Sequence, residues 1–310
     1  MGKKITVKAP ATIANMVCGF DILGFALEYP YDVFSVSLSE VPGIRIINKD
    51  DYQLPLDVEK NVSGAALMSL LEKCSDVKGF VIESEKQIKP GSGIGSSASS
   101  AAGVVVAANL LLNKRFSNND LVQFAMNGEK VASGVKHADN ITPCIFGGVT
   151  LIRSIFPLDI IPLHAPPLYV TVVHPQIEIR TEDARQILRQ QVSLKSAIKQ
   201  WGNVAGLVTG LINEDYSLIS RSLEDVIIEP VRSILIPGFV DIKEGCNQVG
   251  ALGGGISGSG PSVFMLSKDS TTAQHCGNVM QNIYERLGVA YKVYQSSINR
   301  NGVQVFSDET

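Results

Sequence analysis

Lys89-Pro-Gly-Ser-Gly-Ile-Gly-Ser-Ser-Ala-Ser-Ser100 places three glycines, Gly91, Gly93 and Gly95, at alternate positions directly ahead of an apolar run. Glycine tolerates positive φ and leaves no Cβ in the way, so such a turn can point its backbone N–H groups inward as an anion nest. The residues that follow, 96–112, are apolar nearly all round (Ala101, Ala102, Val104, Val105, Ala108, Leu111, Leu112). That pattern predicts a helix buried between other elements. Its first N–H groups and the positive end of its dipole face the same space as the nest. Ser96 and Ser97 add hydroxyls at the helix start, suited to capping, to phosphate or to Mg2+. The design suits a nucleotide polyphosphate. No Gly-Lys-Ser/Thr follows, so this is not a Walker A loop. The GxGxG spacing, in a strand–helix unit that starts only near residue 80, is a poor dinucleotide fingerprint.

On the N-terminal side of this loop, Ile5, Val7 and Ala9 alternate as a strand, as do residues 33–38; residues 44–47 and 80–84 also read as strands. Residues 61–74 carry a helical stripe through Val62, Ala66 and Leu70. Beyond the loop, Ser117-x-x-Asp120 is a capping box that opens a helix to about residue 133. Pro157, Pro162, Pro166 and Pro167 interrupt helices and central strands, so the domain boundary is expected there, dividing the chain into 1–160 and 161–310. Downstream, residues 168–173 read as a buried strand, 182–200 and 204–224 as helices, and 263–266 and 291–293 as strands around a helix near 271–287. Both halves mix α and β.

Bulk properties exclude several classes. At 310 residues the default is two domains, each able to bury a core. The chain is 45% hydrophobic and 18% charged with a net charge of −3, so neither a nucleic-acid surface nor a polybasic membrane patch is expected. No run reaches the roughly 18 apolar residues of a membrane helix. The N-terminus enters a strand directly, which does not read as a signal peptide. The M-G-x-x-x-T start and the sequons at Asn61 and Asn140 read as chance. Five cysteines (Cys18, Cys74, Cys144, Cys246, Cys276) form no CxxC pair, as fits idle thiols in a reducing, cytoplasmic setting.

Pro90-Gly-Ser-Gly-Ile-Gly-Ser-Ser-Ala98 resembles the second motif of GHMP kinases, P-x-x-x-G-L-G-S-S-A, with Ile94 for the usual Leu and Ser99 for the usual second Ala. Residues 251–262, Ala-Leu-Gly-Gly-Gly-Ile-Ser-Gly-Ser-Gly-Pro-Ser, look like the third, a glycine loop that closes over the substrate side. Ala9-Pro-Ala-Thr-Ile-Ala-Asn-Met-Val-Cys-Gly-Phe-Asp-Ile-Leu-Gly24, Lys136-His-Ala-Asp-Asn-Ile-Thr-Pro143 and Glu229-Pro-Val-Arg-Ser-Ile-Leu-Ile-Pro-Gly-Phe239 are similar to segments of the homoserine kinase family. The resemblance is collinear over nearly the whole chain. It implies an α+β, two-domain GHMP kinase fold. The N-terminal, ATP-binding domain would be ribosomal-protein-S5-domain-2-like, and the C-terminal, substrate-side domain a ferredoxin-like α/β sandwich. It also implies transfer of the ATP γ-phosphate to the side-chain hydroxyl of L-homoserine, in the cytoplasm, with Mg2+, and a homodimer by family precedent. Its rivals are a GHMP kinase for another alcohol and a catalytically silent GHMP-fold binding protein.

Site residues follow from the same resemblance. Pro90, Gly91, Ser92, Gly93, Ile94, Gly95, Ser96, Ser97, Ala98 and Ser99 would form the phosphate loop, and Asn61 matches a position near the adenine, with helix capping as its other reading. Ser97 and Glu129 match the Mg2+ ligands, hard oxygen donors of the kind the ion needs. Arg185 and Arg232 match the arginines that grip the substrate carboxylate, for which a guanidinium fork is suited. Asp21 would take the ammonium; Asn15, Thr181, His137 and Gly258 complete the substrate side. Asn140 is assigned to orienting the hydroxyl, and its neighbour Asp139 to a supporting role, with the identity of any base left open.

Overall fold

The computed structural model describes residues 3–134, 136–179 and 181–306, the side chains of Ala132, Ser133 and Thr181 excepted. The chain starts with strands β1 (Lys4–Ala14), β2 (Leu23–Ser39) and β3 (Gly43–Asn48), then helix α1 (Val62–Leu71), strand β4 (Gly79–Glu85) and helices α2 (Ser96–Leu111), α3 (Asn118–Ser133) and α4 (Ile141–Phe146). Strands β5 (Val149–Ile155) and β6 (Leu158–Leu163) complete this part. Next come β7 (Tyr169–Pro175), α5 (Thr181–Gln186), α6 (Leu194–Ile212), α7 (Tyr216–Ser222), α8 (Glu229–Arg232) and α9 (Phe239–Gln248). The chain closes with β8 (Gly253–Ile256), β9 (Val263–Ser267), α10 (Ser270–Leu287), β10 (Tyr291–Ser297) and β11 (Gln304–Val305). Among the described residues no helix is long and apolar enough to cross a membrane. The Gly2 acylation pattern lies outside the described residues.

Two sheets organise these elements. The first runs β11-β1-β2-β4-β3, with β5 on the inner end of β2 and β6 beside β5. The second is antiparallel, β10-β7-β9-β8. Against the first sheet, α2 packs Ala101, Ala102, Val104, Val105 and Ala108 onto Val7, Ala9, Phe34 and Phe80. This is the burial on all sides that its composition predicts. A second core joins the two sheets: Ile13, Phe25 and Leu27 meet Val170, Val172 and Phe264, with Phe25 edge-on to Phe264 at 5.7 Å. The far face of the second sheet is covered by α9 and α10 through Phe239, Ile242, Met280 and Tyr284.

The capping box forms as expected: Ser117 Oγ accepts from the Asp120 N–H and the Asp120 carboxylate accepts from the Ser117 N–H. Other expectations need correcting. Residues 182–200 and 204–224 make three helices instead of two, because Ser193 caps α6 by accepting from the Ser196 N–H and Asp215 caps α7 by accepting from the Leu218 N–H. Pro162 does not break a strand but sits within β6, whose only partner among the described residues is β5, the edge position a missing N–H permits. The third glycine segment is partly strand: β8 lies so close to β9 that a Cβ on Gly254 would fall 1.9 Å from the Phe264 carbonyl oxygen.

Candidate active site

A cavity of about 310 Å3 is lined by the phosphate loop, by Asn61 and its neighbours, and by residues from both halves of the chain. At one end stands α2. Its N-cap, Gly95, has φ +73° and offers no side-chain cap, whereas Asn61, Ser117, Ser193 and Asp269 cap the helices they precede. Gly93, Gly95, Ser96 and Ser97 line the cavity, so the uncapped N–H groups of the first turn are left to it.

The loop is held rigidly from below. Asp32 and Lys86, both fully buried, pair at 2.5 Å. Asp32 also accepts from the N–H groups of Gln87 and Ile88 and from the Ser99 hydroxyl. Lys86 donates to the Ser96 carbonyl and the Ser100 hydroxyl. From above, Ser257 Oγ donates to the Gly93 carbonyl at 2.7 Å and Ser262 Oγ to that of Ser92 at 2.6 Å. A Cβ on Gly93 would lie 2.5 Å from the Gly260 carbonyl oxygen. The two glycine segments are therefore packed on each other. Six of the loop residues singled out in the sequence line the cavity: Pro90, Gly91, Gly93, Gly95, Ser96 and Ser97. Ser92, Ile94, Ala98 and Ser99 do not. Ile94 and Ala98 belong to the cores, Ser99 is bound to Asp32 and the Ala9 carbonyl, and Ser92 is buried. Those four side chains shape the loop. Ser96 also commits its hydroxyl inward, to the Ile88 carbonyl.

Glu129, on α3, is only partly exposed at the cavity wall and takes a hydrogen bond from Ser97. Burial pushes its carboxyl up to about 7, and the charge of Asp139 adds to the rise while the Ser97 contact opposes it. Asp139 lines the same wall, 5% exposed, and is likewise pushed up to about 7 by burial and by Asp21. Asn61 lines the cavity but is also a helix cap: its Oδ1 accepts from the N–H groups of Ser63 and Gly64 and its Nδ2 donates to the Pro55 carbonyl.

The other end gathers Asn15, Asp21, His137, Asn140, Arg185, Arg232 and Gly258. The sharp path that delivers Asn15 and Asp21 needs left-handed backbone at Asn15 (φ 72°), Met16, Val17 and Asp21 (φ 61°), a concentration of strain that marks functional sites. Asn15 bridges, accepting from the Asp21 N–H and donating to the Gly258 carbonyl. Arg232 is 3% exposed and donates to the carbonyls of Ala184 and Gly258; burial, then the Arg185 charge, pull its guanidinium down to about 10. Arg185 pairs with Asp21 at 2.7 Å and donates to His137 Nδ1. That donation makes the imidazole neutral with its proton on Nε2, in keeping with a pKa lowered by burial and by Arg185. Nε2 is buried and has no partner among the described residues, so an N–H is left for a ligand. Thr181 opens α5 ahead of Arg185, with its side chain outside the described residues.

Phe20 was not singled out in the sequence, yet its ring lies under both guanidinium groups, at 5.6 Å from Arg185 and 5.1 Å from Arg232. Lys86 and Asp32 were also missed; no spacing marks them. Phe20 lies inside the quoted Gly-Phe-Asp motif, which could have drawn attention to it.

Comparison with known proteins agrees with this geometry. The family model described as GHMP kinases N terminal domain matches residues 61–148, and that described as GHMP kinases C terminal matches residues 207–286. A homoserine kinase of Chloroherpeton thalassium is 44% identical over 98% of this chain and 99% of its own. The crystal structure of homoserine kinase from Cytophaga hutchinsonii superposes with a TM-score of 0.94 at 47% identity, covering 99% of this chain and 98% of the other. Mevalonate kinase from L. major, at 16% identity over 97% of this chain and 100% of its own, shares the fold with a TM-score of 0.72. The chain belongs to the GHMP kinase superfamily, within its homoserine kinase family.

Proposed function

We propose that this chain transfers the γ-phosphoryl group of ATP to the side-chain hydroxyl of L-homoserine, giving O-phospho-L-homoserine, a step of threonine biosynthesis. The observation that carries the reading is one cavity with two unlike ends. An uncapped helix N-terminus in a glycine nest suits the nucleotide phosphates, and two arginines with an aspartate suit an α-amino acid. Relatives named homoserine kinase over nearly the full length support the same substrate.

Phosphoryl transfer requires positioning and charge neutralisation more than covalent help. On this reading the phosphate loop orients the nucleotide. Arg185 and Arg232 take the homoserine carboxylate, Asp21 the ammonium, and the His137 Nε2–H adds a neutral donor. Asn140 then stands beside the hydroxyl. Mg2+ fits Ser97 and Glu129: a carboxylate and a hydroxyl in contact beside the nest are hard oxygen donors. Among the described residues no cluster of three or more His, Cys, Asp and Glu is poised for a metal, so nucleotide phosphates would complete the shell. Bound there, the ion would neutralise charge on the phosphates. The reading also places the division between an ATP-binding and a substrate-side domain at residue 160/161. That division falls within β6; the chain leaves the first sheet at Leu163 and enters the second at Tyr169, a few residues later, and β11 returns to the first. Five buried free thiols support a cytoplasmic setting, and the exposed Leu194, Ile198 and Trp201 on α6 support a homodimer, which light scattering checks.

The test is a coupled ADP-release assay with ATP and, in turn, L-homoserine, shikimate, mevalonate and galactose. Homoserine should be the substrate with the highest kcat/KM. Turnover of another alcohol in its place, or of none, would refute the proposal.

A further inference from the structure

The Thr12 hydroxyl lies 2.8 Å from Asn140 Oδ1. Thr12 sits on β1, has no exposed surface and does not line the cavity, whereas Asn140 does. Among the described residues Asn140 is the one hydrogen-bond partner of that hydroxyl. A buried O–H with no acceptor bears the full desolvation cost of the group, so Thr12 must donate and the atom facing it must be the amide oxygen. The NH2 of Asn140 is thereby turned away from Thr12, on a residue that lines the cavity. The same threonine also seats the phosphate loop. Its N–H donates to the Ile94 carbonyl, and a Cβ on Gly95 would lie 2.0 Å from its hydroxyl oxygen and 3.2 Å from Asn140 Oδ1.

We infer that Thr12 is a positioning residue that fixes the Asn140 amide with its donor side toward the acceptor hydroxyl and the γ-phosphate, so that Asn140 gives hydrogen bonds there and takes no proton. The inference rests on the kinase reading above and deepens it. The terminal torsion of asparagine is soft and roughly two-fold, so without the Thr12 anchor the amide can turn over. Its oxygen would then face the phosphate oxygens and repel them. Thr12 acts on turnover through Asn140 while touching neither substrate.

Four variants test this with ATP and L-homoserine: Thr12→Val, which keeps the shape and removes the hydroxyl, Thr12→Ser, which keeps the hydroxyl, Asn140→Ala, and the double variant Thr12→Val/Asn140→Ala. Thr12→Val should lower kcat ~10-fold with both KM values little changed, since the loss is one of orientation. Thr12→Ser should stay within ~3-fold of the parent, and the Thr12→Val loss should vanish in the Asn140→Ala background, as expected for two residues acting as one unit. Unchanged kcat in Thr12→Val, equal losses in the Val and Ser variants, or losses that multiply in the double variant would each overturn it. A parent chain inert on homoserine would instead sink the kinase reading. Thr12 would then be judged by the Asn140 side-chain amide resonance. Thr12→Val must shift it and Thr12→Ser must not; no shift in Thr12→Val overturns the inference.

Discussion

The two ends of the cavity are built on opposite plans. The phosphate end comes from one continuous stretch, residues 90–97, and works through backbone: glycines at φ +75°, +80° and +73° and the bare first turn of α2. The amino-acid end is assembled from side chains on four separate segments and the Gly258 carbonyl of a fifth, and in the free protein these groups bind one another, Arg185 to Asp21 and His137, Asn15 and Arg232 to the Gly258 carbonyl. Backbone recognition is indifferent to side-chain exchange but intolerant of any added Cβ. Side-chain recognition is the reverse, and each member can be removed at a graded cost. A homoserine zwitterion would take over both sides of the Arg185–Asp21 pair, so the free protein holds the charges ready in a satisfied state.

The sharpest way to break this contrast is Gly95→Ala. A methyl there meets Thr12 Oγ1 at 2.0 Å on a left-handed backbone, so kcat/KM should fall by ~10³-fold or more for ATP while the fold persists by circular dichroism. Next come Arg185→Ala and Arg232→Ala. Loss of one arm of the carboxylate fork should raise the KM for homoserine, each costing about 2–4 kcal/mol, with ATP affinity little altered. Equal loss of ATP binding in calorimetry would mean these arginines hold phosphate or structure. Asp139→Asn should be milder, acting chiefly on Tm, because Asn140 and not Asp139 is assigned to the hydroxyl. An unchanged Tm with most of kcat gone would make Asp139 the base.

The smallest effect concerns a histidine that backs the phosphate end. His174 is 1% exposed; its Nδ1 faces Gln176, which also accepts from Lys89 just ahead of the loop. Burial, then the charges of Lys89 and Lys292, lower it from 6.5 to about 4. The folded state thus binds fewer protons than the unfolded one between those values. Its contribution to stability is present above pH 6.5 and is lost as pH falls toward 4. His174→Gln should therefore shrink the drop in Tm between pH 7 and pH 5, measured calorimetrically; an unaltered drop would locate the acid sensitivity elsewhere.

The same contrast explains what could be read from the sequence. The phosphate loop, its buried helix and the Ser117/Asp120 box were legible because each is local: glycine spacing, apolar periodicity and a cap three residues from its partner. The family resemblance then supplied Asp21, Arg185 and Arg232, which lie up to 211 residues apart in the chain and meet only by folding. Asp32 and Lys86 escaped notice because what marks them is contact between β2 and the end of β4, and no local pattern encodes it; Thr12 stands inside the quoted Ala9–Gly24 segment, but its bond to Asn140 is made only by folding. The splits between α5 and α6 and between α6 and α7 were missed although Ser193 and Asp215, which open α6 and α7, are ordinary caps.

The most direct test of the account asks whether one end of the cavity reads a zwitterion while the other reads phosphate. With ATP as donor, kcat/KM is measured for L-homoserine, for 4-hydroxybutyrate, which lacks the ammonium, and for 3-amino-1-propanol, which lacks the carboxylate. Each analogue should lose ~10²-fold or more, because it leaves Asp21 or the arginine pair without a charged partner, while the KM for ATP stays unchanged. An analogue turned over within tenfold of homoserine would contradict the account.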